Sequence, residues 1–207
     1  MQKYVPDGNI ACENCDRFFV SYTHIYARVN IDAKNELAKA AYNGMINRIT
    51  CPYCNTEFTY EAPLFAHSYI NKFAVISQFP DCYKDITSMH RAAKISGLDS
   101  WKLRNCRFAM DASEKIRIFS NGLNDGIVEI IKLKAFSDYS QMNLLDEYIT
   151  FEGAINDCLV FTHRDYTDRI IEKYNVPKSM YNTEPDIFIP NGRWIKIDRN
   201  WAQKTLE

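Results

Sequence analysis

Cys12-Glu13-Asn14-Cys15 and Cys51-Pro52-Tyr53-Cys54 decide how this chain is read. The two runs share one spacing and are separated by 35 residues. Two residues between cysteines let a tight turn aim both thiolates at one point, and a second such knuckle completes a tetrahedral four-sulfur shell. Pro52 presets its own φ for a turn, and Asn55 tolerates the left-handed conformation that closes one. Each knuckle leads into a strand-like run, Arg17 to Tyr22 and Thr56 to Tyr60, rich in aromatic and β-branched residues. That layout is a zinc ribbon. A redox Cys-x-x-Cys would open a helix in a βαβ setting and would need no second copy. The spacing therefore predicts one structural Zn2+ on Cys12, Cys15, Cys51 and Cys54. Its shell is closed, so the metal is expected to hold the fold and perform no chemistry.

The other cysteines, Cys82, Cys106 and Cys158, have no partner at ligand spacing and are expected as free reduced thiols, with Cys158 buried in its apolar run. An odd total of 7 cysteines argues against an extracellular disulfide framework. Across 207 residues, 46% hydrophobic and 25% charged composition excludes a disordered tail, a collagen and a coiled coil. A formal net charge of −1 gives no overall field for nucleic acid or an anionic membrane. Met1 to Asp7 carries no secretory signature and no apolar run approaches a membrane span, so a cytoplasmic location is expected.

Working outward, the gap between the knuckles is long enough to hold its own structure. Asp32 is expected to cap a helix over Ala33 to Tyr42, closed by Gly44, with Met45 to Thr50 as the strand entering Cys51. Pro63-Leu64-Phe65 reads as a break, and Phe73 to Ile76 as a further strand. Residues 83–107 carry helical spacing at Ile86, Met89, His90 and Ala93 and hold six Lys or Arg against two acids. From Asp111 to Asp157 the sign reverses, with nine acids and four bases. Asp111-Ala112-Ser113-Glu114 opens one helix, Asn124-Asp125 caps a second, and the link through Gly122 makes them a helical hairpin. Farther on, Tyr148 to Phe151 and Leu159 to Thr162 read as strands and Arg164 to Tyr174 as a helix. Ile187 to Ile189 and Trp194 to Ile197 read as a β-hairpin. The fold class expected is α+β. A zinc-ribbon-like β unit with an inserted helix fills residues 1–80. An α+β domain fills 81–207, with the helical hairpin (111–136) packed against the ribbon and a C-terminal mixed α/β segment.

The run from Glu114 to Lys132 resembles the helical signature of the bacterial CpXC family. So does Cys51-Pro52-Tyr53-Cys54 with Phe58 and Pro63-Leu64-Phe65-Ala66-His67, together with Asn30, Ile197-Asp198 and Trp201. Two positions depart from the family pattern. The first knuckle lacks the proline that names the motif, and Ser68 stands where the family has an acid after its histidine. The resemblance implies a fold and a metal, and no reaction.

The candidate functional surface comprises Glu114, Lys115, Asp125, Glu129, Lys132 and His67. Asp125 and Glu129 are four apart, so they share a helix face and present paired carboxylates. Such a pair can bind a divalent ion or do acid–base work, but helix capping by Asp125 and an i,i+3 bridge from Glu129 to Lys132 explain it as well. His163-Arg164-Asp165 is no catalytic pair, because neighbours on a strand point to opposite faces. No phosphate loop, G-x-S-x-G, H-E-x-x-H or dinucleotide fingerprint is present, so no catalytic or cofactor-binding residue is assigned. The favoured function is a zinc-stabilised intracellular interaction protein whose partner is another protein, of regulatory or immunity type. One alternative is a nucleic-acid binder in which Lys84, Arg91, Lys94 and Arg104 share a face and Trp101 stacks a base. The other is a hydrolytic or metal-assisted enzyme using Glu114, Asp125 and Glu129.

Overall fold

The computed structural model describes residues 4–12, 14–24, 27–46, 48–59, 64–77, 97–143, 146–165 and 169–207. The helix expected around Ile86 and Met89, with Lys84, Arg91, Lys94 and Cys82, lies outside them.

Each knuckle is the turn of a two-stranded antiparallel hairpin. Strands β1 (Tyr4–Ala11) and β2 (Phe18–His24) flank the first, and β4 (Arg48–Thr50) and β5 (Glu57–Thr59) flank the second. Alternation along β2 buries Phe19 and exposes Phe18 and Val20. Phe19 meets Phe58 edge-on at 6.3 Å, and with Ile10 and Ile49 these rings form a small core around the cysteines. This satellite core is separate from the main one.

The segment between the hairpins leaves the ribbon altogether. Strand β3 (Ala27–Asn30), a 3-10 turn (Ile31–Ala33) and helix α1 (Glu36–Asn43) join the body of the molecule. Asn35, not Asp32, caps α1 by accepting from the Ala38 N–H, and Gly44 closes it at φ +71°. Asp32 is engaged elsewhere, accepting from the Ser68 hydroxyl at 2.6 Å and from the Tyr69 and Ile70 N–H groups. These three bonds tie the Asp32 carboxylate to the segment Ser68 to Ile70 and away from α1.

The body is built on a five-stranded mixed sheet. Its strands are β6 (Leu64–Ser68), β7 (Phe73–Ser77), β8 (Lys102–Cys106) and β12 (Trp194–Ile195) with β3, in the order β12-β8-β7-β6-β3. The expected break at Leu64-Phe65 is instead a central strand. Leu64 to Ser68 is buried at every position, so it carries no alternation to announce a strand. One face of the sheet, through Leu64, Ala66, Phe73 and Val75, packs on helix α2 (Ala109–Ser120). The other face holds Phe65, Ala74, Ile76, Leu98, Trp101 and Leu103. Helix α3 (Asp125–Ala135) completes the hairpin with α2.

A meander of β9 (Glu147–Ile155), β10 (Cys158–Asp165) and β11 (Ile170–Pro177) lies against α2. Of the helix expected over Arg164 to Tyr174, residues 164–165 and 170–174 are strand, since Ile170-Ile171 and Val176 favour β structure and β10 supplies a pairing edge. The expected β-hairpin over 187–197 is not formed. Trp194–Ile195 pairs parallel with β8, and two short helices, α4 (Lys178–Thr183) and α5 (Arg199–Leu206), frame that segment. Cys158 is half-buried rather than buried. The main core runs from Ala27 to Val176, and the large sheet takes strands from both sides of residue 80. A domain boundary at 80 therefore falls inside one sheet, and the compact metal unit is the pair of hairpins alone.

Candidate metal centre

The two knuckles are built alike. In the first, the Cys12 N–H donates to Arg17 O at 3.0 Å and the Asp16 N–H to Cys12 O at 2.9 Å. In the second, the Cys51 N–H donates to Thr56 O at 2.9 Å and the Asn55 N–H to Cys51 O at 3.0 Å. Asp16 and Asn55 hold the same place in each turn at φ +54° and +60°, a conformation Asx residues tolerate. Equal backbones deliver equal cysteines.

The four sulfurs lie within 4.8 Å of one another. Cys12 Sγ is 3.6 Å from Cys54 Sγ, and Cys15 Sγ is 3.8 Å from Cys51 Sγ. A regular tetrahedron with metal–sulfur bonds of about 2.3 Å has edges of about 3.8 Å. The sulfurs thus already occupy the corners of a shell that can hold a metal ion. Cys12 and Cys51 are fully buried, while Cys15 and Cys54 are half-buried. The side-chain and backbone hydrogen bonds of Thr56, with Asn14, hold the Cys54 thiol down at about 5. Cys15 is pushed up to about 12: the Arg17 backbone bond lowers it, but burial and the neighbouring sulfurs outweigh that bond. Four crowded thiols ionise together only around a cation, so loading the site displaces protons.

Beside the ribbon opens a cleft of about 890 Å³. Thr56, Phe58 and Thr59 form one wall, the first turn of α2 with Arg107 and Asp111 another, and Lys196 to Arg199 the far side. Glu114, Lys115, Glu129 and Lys132 line its floor and belong to a buried ladder of alternating charge that continues beneath it. The Arg104 guanidinium donates two bonds to Asp125, at 2.8 and 2.9 Å. Lys115 Nζ lies 3.5 Å from Asp125 and 3.2 Å from Glu129, and Lys132 Nζ 3.2 Å from Glu129 and 2.6 Å from Glu114. Glu114 ends the ladder by accepting from the Phe151 N–H at 2.6 Å, and the Tyr139 hydroxyl donates to Glu129 at 3.2 Å. Burial pushes the Asp125 carboxyl up, but Lys115 and Arg104 reverse this and hold it below its ordinary range. Lys132 and Lys115 do the same for Glu129, and Glu114 and Glu129 hold Lys132 above its ordinary range against burial.

The candidate functional surface is therefore not a surface. Glu114, Lys115, Asp125, Glu129 and Lys132 meet in one place, all buried, at 1–6% exposure. The expected Glu129–Lys132 bridge is present, but Asp125 does not cap its helix. Asn124 does so, accepting from the Gly126 N–H at 2.9 Å. His67 stands apart on β6, tilted against Phe65 and edge-on to Tyr69, with its Nδ1 buried and unpartnered among the described residues. Burial and Arg28 lower its pKa, against a smaller opposing pull from Asp32. Ser68, the residue after His67, holds Asp32 from another segment. Trp101 is buried in the second core and Arg104 is committed to Asp125. Sequence reasoning missed the side chains of Asn14 and Thr56, which reach Cys54 Sγ at 3.6 and 3.3 Å. Nothing local marks either residue for that contact.

No helix among the described residues is long and apolar enough to cross a membrane. No curated protein and no solved structure matches the chain. The family described as CpXC protein matches residues 10–132, a span that takes in both knuckles and the helical hairpin as far as Lys132. On that match the chain belongs to the CpXC family.

Proposed function

We propose that this CpXC-family protein is a zinc-stabilised intracellular interaction protein, in which the ribbon and the helical hairpin together form a cleft for a segment of a partner protein. The observation that carries the reading is the sulfur geometry, with edges of 3.6 and 3.8 Å in a shell with no place for water or substrate. Four thiolates in tetrahedral array suit Zn2+, and a closed shell gives the ion a structural role. Reduced thiols of this kind persist inside cells. The half-buried Phe58, Met110 and Tyr148 line the cleft under a charged rim, which is the chemistry of a protein–protein contact. A regulatory or immunity-type role falls within this class.

Nucleic-acid binding is the weaker reading, since Trp101 and Arg104 are both spent inside the fold. An enzyme reading retains one supporting observation, that Glu114 and Glu129 line the cleft. Their engagement with Lys115 and Lys132 opposes it, because a general base needs a carboxylate free to take a proton.

The test is affinity capture from the protein's own cells with metal-loaded wild type and Arg107→Glu, identifying protein and nucleic acid in each eluate. Arg107 is exposed on the cleft rim, so its replacement leaves the core intact. A protein lost from the Arg107→Glu eluate at equal metal content supports the reading. Nucleic acid recovered in its place, or a chain holding no zinc, overturns it.

A further inference from the structure

The four sulfurs of the metal centre are not chemically equal, and this inference rests on the metal reading above. Cys12 and Cys51 are fully buried, so an external reagent reaches only Cys15 and Cys54. The backbone treats these two alike: Cys15 accepts from the Arg17 N–H and Cys54 from the Thr56 N–H. The side chains do not. Cys54 Sγ also accepts from the Asn14 amide at 3.6 Å, and it lies 3.3 Å from the Thr56 hydroxyl, to which the thiol donates and from which the thiolate accepts. Among the described residues no side chain other than the neighbouring cysteines approaches Cys15 in this way. A hydrogen bond to a thiolate draws charge from its lone pairs and lowers its reactivity toward carbon and sulfur electrophiles.

We propose that Cys15 is the site at which soft electrophiles modify this centre, and that Asn14 and Thr56 protect Cys54 from the same attack. With a maleimide the step balances simply. The Cys15 lone pair forms a carbon–sulfur bond as the alkene π bond breaks, and water protonates the adjacent carbon. The modified sulfur is then a thioether, a poorer ligand, and the ion is left with three thiolates.

The experiment uses the metal-loaded chain of 207 residues, its zinc content measured first. Substoichiometric N-ethylmaleimide is added with a chromogenic chelator present, and adducts are located by mass spectrometry. Cys15 should be modified at least about threefold faster than Cys54, with zinc release tracking the Cys15 adduct. In Asn14→Ala/Thr56→Val the Cys54 rate should rise about threefold while the Cys15 rate holds, and Thr56→Ser should keep the protection. Preferential modification of Cys54 in the wild type, or variants that leave the ratio unmoved, would overturn the proposal with the metal reading intact. A purified chain that takes up no zinc overturns both. The wild-type ratio decides the matter even if the double variant fails to fold.

Discussion

The ribbon and the hairpin solve one problem in opposite ways. Each concentrates polar side chains away from water: four thiols in one case, and Arg104, Asp125, Lys115, Glu129, Lys132 and Glu114 in the other. The hairpin, joined by Arg104 from β8, supplies both signs of charge, so the ladder is complete once the chain has folded. The ribbon supplies one sign alone and depends on an ion from outside. Its apolar core is correspondingly small, resting on Ile10, Phe19, Ile49 and Phe58. The body should therefore stand without metal, while the ribbon should not.

The largest effect expected is from Cys51→Ala. It leaves three thiolates and should cost the ribbon several kcal/mol, with loss of bound metal. Elemental analysis and hydrogen exchange check this. Amides of β1, β2, β4 and β5 should exchange rapidly while those of α2 and α3 stay protected, and uniform loss of protection would mean the two regions fold as one.

Asp125→Ala comes next. It strands the Arg104 guanidinium and the Lys115 ammonium in a buried site, and should cost about 3–5 kcal/mol in denaturant unfolding with metal content unchanged. A cost near 1 kcal/mol would reduce Asp125 to a helix-terminus charge.

Acid should separate the two regions again. Asp125 and Glu129 have folded pKa values below their unfolded ones, so their contribution is fully present above the unfolded carboxylate range. It is lost only as pH falls through the lower folded values. Lys132, shifted upward, contributes fully below its unfolded pKa and loses that contribution as pH rises through its folded one. The ladder is thus intact from about pH 5 to about pH 10. Protons compete for the thiolates across the acid side of that window, so metal should leave before the helices melt. A stepwise acid titration followed by zinc release and far-UV circular dichroism tests the order, and coincident transitions would contradict it.

The smallest effect, from Asn124→Ala, gives the sharpest contrast. This residue adjoins Asp125 but only caps its helix and donates to Ile187 O, so about 1 kcal/mol is expected. Equal costs at the two positions would remove the distinction between capping and charge pairing.

What the sequence disclosed follows the range of each interaction. The knuckles are local, so Cys12 to Cys15 and Cys51 to Cys54 announced both the turns and their meeting. The helical hairpin is local too, and its ends at Ser120 and Asn124 lie close to the positions its capping residues suggest. The ladder is not local: Arg104 meets Asp125 across 21 residues, and Lys115 meets Glu129 across 14. Read along one helix, Asp125 and Glu129 look like a carboxylate pair. Only the packed hairpin puts a lysine between them. The errors in secondary structure share a cause, because Leu64 to Ser68 and Ile170 to Pro177 owe their form to pairing with other strands and not to an alternation of their own. The 35-residue gap hid the largest surprise, that β3 and α1 belong to the body and not to the ribbon.

Gly126 sits where α3 meets the last helix. A methyl group there would come within 2.7 Å of the Trp201 ring and 2.8 Å of Ile189. The indole thus rests directly on peptide backbone, and no other amino acid at 126 lets it do so. Position 126 and the tryptophan 75 residues downstream must therefore vary as a pair: Gly126→Ala should dislodge the indole, and a smaller side chain at 201 should restore tolerance of the alanine.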